Sequence, residues 1–261
     1  MKNITPLSLP REWAAFAVRV ASGLVFAARY HGTGRWCPVC EKSSRRFARF
    51  GVAPRKDARC GFCGSLERHR FVWLFFSRMT DLFDGKEKRV LHIAPEECLE
   101  GRLKARLGDG YVTADLLDPR AMVQMDITDI QYPDESFDAI YCSHVLEHVQ
   151  EDRQALKEFH RVLKRGGWAI VLVPITAERT CEDCSIADPS ERERVFGQED
   201  HVRRYGPDYL YRLREAGFEV RVNRVSDLCG EDEVVRMGLT AASGAIYCCT
   251  KASSLRLPRP E

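Results

Sequence analysis

The thirteen residues from Phe137 to Val149 change character abruptly, and that change restricts what the chain can become. Phe137 to Cys142 is short, aromatic and β-branched, as expected of a strand buried on both faces. Gln154 to Leu163 instead carries Ala155, Leu156, Phe159, Val162 and Leu163 at helical spacing. A strand therefore ends near Cys142 and a helix follows. The same alternation runs from Lys88 onward. Strands are expected over 89–94, 111–115, 122–127, 137–142, 168–173, 218–222 and about 245–250, with helices over 99–107, 153–163 and 207–216. Arg165-Gly166-Gly167 supplies a left-handed turn to close the second of these helices. Strands alternating with helices predict an α/β fold built on a parallel, doubly wound, Rossmann-like sheet.

Such sheets bind ligands beyond the carboxyl ends of their strands. Ser143-His144-Val145-Leu146 and then Glu147-His148 follow the fourth strand and are candidates on that ground. Asp115 ends the second strand, about twenty residues after the turn Ala94-Pro95-Glu96, where an acid takes both hydroxyls of a ribose. Asp126 ends the third and suits an adenine edge. One such Asp is commonly no more than a helix cap, but two at successive strand ends beside a polar tetrad point to a nucleoside-bearing cofactor.

The N-terminal third follows different rules. Cys37-Pro38-Val39-Cys40, nineteen residues, then Cys60-Gly61-Phe62-Cys63 has the spacing of a tetrahedral four-thiolate zinc site. Gly61 and Gly64 allow the tight turns around it, and four thiolates leave no open position, so the zinc is expected to be structural. Ser65 is placed to cap a helix over Leu66 to Phe76, apolar nearly all round and therefore expected to join the ribbon to the main domain. Residues 1–80 hold 15 Lys+Arg against 4 Asp+Glu, leaving 25 against 34 in the remainder. The basic half faces an anionic partner or is a solvated surface; the acidic body is unsuited to nucleic acid.

Met1 to Pro10 lacks an apolar signal core, so a reducing, cytoplasmic setting is expected, and Cys181, Cys184, Cys229, Cys248 and Cys249 read as free thiols. Arg19 interrupts the apolar run Trp13 to Ala28. Residues 11–30 read as an amphipathic helix packed on the protein, with weak membrane-surface contact as the other reading. The expected organisation is an arm and amphipathic helix over 1–34, the ribbon over 35–64, a connecting helix over 65–87, the α/β domain over 88–251 and a tail over 252–261.

Residues 88–226 resemble a class I S-adenosylmethionine-dependent methyltransferase of the type 11 group. The likeness is carried by Asp126-Ile127, Tyr132 to Asp138, Ser143 to Val149, Phe159 to Gly167, His201-Val202-Arg203 and Ala216-Gly217-Phe218. The four-cysteine segment with Gly64 to Arg70 resembles a bacterial subgroup that carries a zinc ribbon ahead of that body. The resemblance implies S-adenosylmethionine as methyl donor, with His92, Ala94, Pro95, Glu96, Asp115, Leu116, Asp126, Ile127, Ser143 and His144 around it. It also implies His144, His148 and His201 as candidate bases, with Glu147 as an orienting group. One departure stands out: the family's first strand ends in an acid and a Gly-x-Gly-x-Gly loop, whereas this chain reads His92-Ile93-Ala94-Pro95-Glu96-Glu97. Either Glu96 or Glu97 engages the methionine ammonium, or the cofactor is lost. The charged insertion from Ile175 to Tyr205, which contains His201, is expected to cover the acceptor side. The preferred acceptor is a polar small molecule or glycan. The alternatives are an RNA methyltransferase gripping phosphates through Arg45, Arg46, Arg49, Arg55, Lys56 and Arg59, and a non-catalytic scaffold.

Overall fold

The computed structural model describes residues 29–51 and 53–253. The apolar run before Arg29 and most of the expected tail lie outside the described residues. Two short antiparallel hairpins come first: β1 (Arg35–Cys37) with β2 (Lys42–Ser44), and β3 (Ala48–Phe50) with β4 (Arg55–Arg59). The remaining elements are α1 (Glu67–Met79), β5 (Val90–Ile93), α2 (Glu97–Leu107), β6 (Tyr111–Asp115), β7 (Val123–Gln124), β8 (Phe137–Ser143), α3 (Asp152–Val162) and β9 (Leu163–Leu172). They are followed by β10 (Cys181–Glu182), α4 (Pro189–Phe196), β11 (Arg203–Arg204), α5 (Tyr209–Glu215), β12 (Glu219–Asn223), α6 (Glu231–Met237) and β13 (Ile246–Thr250).

The central sheet has the order β12-β13-β9-β8-β5-β6-β7. β9, β8, β5, β6 and β7 are parallel, while β13 runs antiparallel to both β9 and β12. This is a doubly wound, Rossmann-like sheet, and its strand order reverses between β5 and β8. The period of two along each strand divides the core. Ala139 and Tyr141 of β8, with Ile170 and Leu172 of β9, join Phe71 to Phe76 of α1, Leu99 and Leu103 of α2 and Met237 of α6 in one apolar layer. Ile140 and Cys142, with Ala169 and Val171, join Ala155, Leu156, Phe159 and Val162 of α3 and Leu213 of α5 in the other.

The first layer continues through Cys37, Val39, Phe47 and Cys60, so α1 is buried between the hairpins and the sheet. Arg70 of α1 is fully buried and stacks on the Phe47 ring at 4.3 Å. Its guanidinium donates to the carbonyls of Ala58 (3.0 Å) and Ser65 (2.9 Å) on one side and of Met237 (2.6 Å) and Gly238 (2.9 Å) on the other.

Three expectations need correction. Arg165-Gly166-Gly167 does not close α3: the helix ends at Val162, Leu163 opens β9 directly, and Gly166 takes φ +75° within that strand. The third strand is confined to Val123 and Gln124, because its neighbour β6 ends at Asp115 and, among the described residues, no second strand pairs with it at the sheet edge. Ser65 does not cap α1: Leu66 occupies the N-cap, and the Ser65 hydroxyl lies 3.2 Å from the sulfurs of both Cys37 and Cys63. The hairpins, α4 and α6 were not anticipated; α4 starts from an Asp188 cap and Pro189, and ends at Gly197, which takes φ +95°.

Candidate active site

The reversal of strand order brings the carboxyl ends of β5 and β8 side by side, and each strand is followed at once by a residue in the left-handed region, Ala94 at φ +48° and His144 at φ +58°. Such strain in residues other than glycine concentrates at functional sites. Each turn is anchored: the Ala94 amide donates to Ala114 O and the His144 amide to Leu172 O, both at 2.8 Å.

Beyond Ala94 and Pro95, Glu96 supplies the backbone cap of α2, while its side chain, 16% exposed, turns inward. One carboxylate oxygen lies 2.8 Å from His92 Nε2; the other accepts from Tyr141 Oη at 3.0 Å and lies 3.8 Å from His69 Nε2. His92 is fully buried, with Nδ1 2.6 Å from Tyr111 Oη. Burial opposes ionisation of Glu96, but the hydrogen bond and charge of His92 outweigh it and bring the carboxyl down to about 2. A fixed anion thus stands above the first strand even though that strand carries His92 rather than an acid near its end. Glu97 takes no part: it is exposed and paired with Arg120 at 3.0 Å. His69 lies under the same turn, accepting from the Leu66 amide at 3.2 Å and meeting Cys98 Sγ at 3.1 Å. Burial, aided by the Arg68 charge, lowers it to about 4.

At the end of β6 one oxygen of Asp115 accepts from the amides of Leu117 and Asp118, each at 2.8 Å. Leu116 and Leu117 beside it, with Met122, are exposed apolar side chains at the sheet's ligand edge. Asp126 is exposed, one oxygen accepting from Thr128 N at 2.8 Å and Oγ1 at 2.7 Å, while Ile127 is buried in the apolar layer that holds α3. On β8, Ser143 Oγ is buried and meets no hydrogen-bond partner in good geometry among the described residues.

After His144, a turn over Leu146–His148 carries Glu147 and His148. His144 Nδ1 is 3.4 Å from Glu147 Oε1, and the His148 and His201 rings meet edge to face with centroids 4.7 Å apart. The Val202 amide donates to Glu147 O at 2.9 Å. Buried Arg203 donates to the carbonyls of Leu146 (2.7 Å), Gln150 (2.6 Å) and Val149, and to Glu182 at 2.9 Å. The end of the insertion is thereby laid along the turn after β8. The tertiary structure thus gathers Ala94, Pro95, Glu96, Asp115, Ser143 and His144 around the strand ends and brings His148 and His201 to Glu147. His92 lies beneath this group and Ile127 faces away. His69, Tyr141 and Arg203 join the site through long-range contacts that carry no local spacing signal.

In the N-terminal hairpins the sulfurs of Cys37 and Cys63 are 3.7 Å apart and those of Cys40 and Cys60 3.8 Å, with all four ligand atoms within 4.8 Å of one another. Four sulfurs about 2.3 Å from one zinc ion in a tetrahedron stand roughly 3.8 Å apart, so this set can hold the metal with little movement. Gly64, at φ +76°, makes the turn that returns its amide to Cys60 O at 2.9 Å. None of the eleven cysteines is in a disulfide, and Cys181 and Cys184 are exposed.

Residues 98–171 match a family model described as a methyltransferase domain. Over 153 residues the chain is 24% identical to ajmaline N-methyltransferase of Rauvolfia serpentina, spanning 56% of this chain and 46% of that protein. Over 80 residues it is 36% identical to demethylmenaquinone methyltransferase of Clavibacter sepedonicus, spanning 31% of each. The match spans less than half the length of either curated relative. A solved S-adenosylmethionine-dependent methyltransferase from Mesorhizobium loti superposes with a TM-score of 0.46 at 15% identity, covering 68% of this chain and 96% of that one.

Proposed function

We propose that this chain is an S-adenosylmethionine-dependent methyltransferase acting on a polar small molecule or glycan, with a structural zinc ion held by Cys37, Cys40, Cys60 and Cys63. The observation that carries the reading is the switch point: two adjacent parallel strands are each followed by a left-handed residue beside the buried Ser143 hydroxyl and the inward Glu96 carboxylate. These features suit the methionine end of the cofactor. The small side chain of Ala94 allows close backbone approach, and the charge of Glu96 favours an ammonium group. Asp115 retains an oxygen for the ribose, Asp126 one for the adenine edge, and exposed Leu116 offers an apolar face to the ring.

When bound, the sulfonium supplies an already activated methyl group: the acceptor lone pair forms the new bond as the carbon–sulfur bond breaks and its electrons remain on sulfur. The protein then has to align the acceptor, exclude water and remove the acceptor's proton. His144, His148 and His201 are the groups for that last step, and His144 stands nearest the strand end. The segment from His201 to Tyr205, fixed by Arg203, covers this side.

Calorimetric titration with S-adenosylhomocysteine tests the reading. Saturable one-to-one binding is expected, weakened about 10- to 100-fold in Asp115→Ala by loss of a charged acceptor. No binding by the parent leaves the scaffold alternative; unchanged affinity in the variant removes the ribose role. A second reading draws on a cavity of about 540 Å³ lined by Arg29, Tyr30, Arg46, Phe47, Arg49 and Lys56, which supports an RNA acceptor held by its phosphates.

A further inference from the structure

Glu147 poses an electrostatic problem that its neighbours do not solve. Its side chain is 3% exposed, and among the described residues Oε2 has no hydrogen-bond partner and no Lys or Arg pairs with it; its one partner at ion-pair distance is His144, at 3.4 Å. A carboxylate buried without compensating charge is strongly unfavourable, so this position calls for a cation. Two imidazoles stand beside it: one ligand atom from each of Glu147, His148 and His201 lies within 4.8 Å of the others. Each ring also has an oxygen partner at its Nδ1. His148 Nδ1 is 3.1 Å from Asp200 Oδ2 and His201 Nδ1 faces Phe196 O at 3.4 Å. Metal-ligating histidines are oriented in this way, by donating one ring N–H to a carboxylate or carbonyl and keeping the other nitrogen as a lone pair.

We propose that Glu147, His148 and His201 bind a divalent first-row metal ion, as a second centre separate from the four cysteines. Two imidazoles and one carboxylate form a facial set that leaves coordination positions open. Ligands about 2.1 Å from one ion stand roughly 3–4 Å apart, so a set already within 4.8 Å needs only a small inward movement of its side chains to close on the ion. The site lies on the acceptor side, beside His144. If the methyltransferase reading is right, the open positions take an oxygen acceptor. The metal-bound hydroxyl then gives its proton to His144 as the oxygen–methyl bond forms and the carbon–sulfur bond breaks. The metal site itself does not depend on that reading.

The experiment uses full-length protein with its four-cysteine centre filled with zinc, titrated with Mn2+ and followed by loss of the free-ion electron paramagnetic resonance signal; Co2+ and Zn2+ are run by calorimetry. One further equivalent of metal is expected to bind. Its affinity should fall more than about 100-fold in His201→Ala and in the surface variant His148→Ala, since loss of a ligand should exceed the 10- to 100-fold effect of losing an outer partner. Absence of a second equivalent for all three ions, or equal affinity in parent and both variants, overturns the proposal. S-adenosylhomocysteine affinity measured in chelator separates the two readings. Metal binding without nucleoside binding sinks the methyltransferase reading alone, and the reverse sinks the metal site alone.

Discussion

His69 and Glu96 show how single residues set the acid stability of this protein. His69 is buried and neutral, its Nδ1 committed to the Leu66 amide, and burial lowers it to about 4. The unfolded chain binds that proton near pH 6.5, so the stability due to the neutral ring is complete above about 6.5 and is lost as pH falls toward 4. Glu96 is lowered to about 2. Its contribution is complete above about 4.5 and disappears only below that. Urea unfolding of the parent should therefore lose about 2 kcal/mol between pH 7 and pH 5 through His69 alone. His69→Gln should lose markedly less over that interval, with His160, also lowered by burial, keeping a residual slope, and should keep the steeper fall below pH 4.5. Parallel curves for the two proteins would refute the assignment.

The hairpins and α1 show the same dependence among elements. Neither hairpin buries a core of its own. Their order comes from four converging sulfurs and from Arg70, whose guanidinium joins β4 and the Ser65 turn to the end of α6. Arg70→Met leaves several buried carbonyls without a donor and should destabilise the protein by more than about 3 kcal/mol. Arg70→Lys should recover little, because an ammonium cannot reproduce the planar fork. Thermal unfolding of both variants checks this. At the metal end, about one equivalent of zinc per chain is expected. Cys60→Ser should lose it, and limited proteolysis should then open the chain between residues 35 and 64 while leaving the sheet intact. A metal-free parent equally resistant to protease would remove the zinc from the account.

For the molecule as a whole the question is what its charge asymmetry serves. Part of the basic surface is already engaged: Arg55 pairs with Glu67 at 3.1 Å, Arg35 with Asp57 at 3.0 Å, and Arg59 lies over the Phe50 ring. What remains, chiefly Arg46, Arg49 and Lys56, should attract phosphate weakly, with affinity falling steeply as salt rises. Total RNA is expected to bind no tighter than about micromolar at physiological salt. Tight binding that survives salt and drops in Arg46→Ala and Arg49→Ala would favour the RNA reading over a small-molecule acceptor.

Periodicity alone determined the alternation of strands and helices, because a strand buried on both faces and a helix buried on one leave patterns that do not depend on partners. The spacing of Cys37, Cys40, Cys60 and Cys63 marked a four-sulfur cluster, since each pair is local. Strand-end logic likewise singled out Asp115, Asp126, Ser143 and His144. Only the tertiary structure decided the rest. Where Gln124 stops pairing depends on the length of β6. Glu96 becomes an inward anion because His92 and Tyr141 lie on the neighbouring strands β5 and β8. His201 meets Glu147, from more than fifty residues away in sequence, because Arg203 and Val202 bind the backbone after β8. Contacts of that kind are created by packing, and no spacing along the chain encodes them.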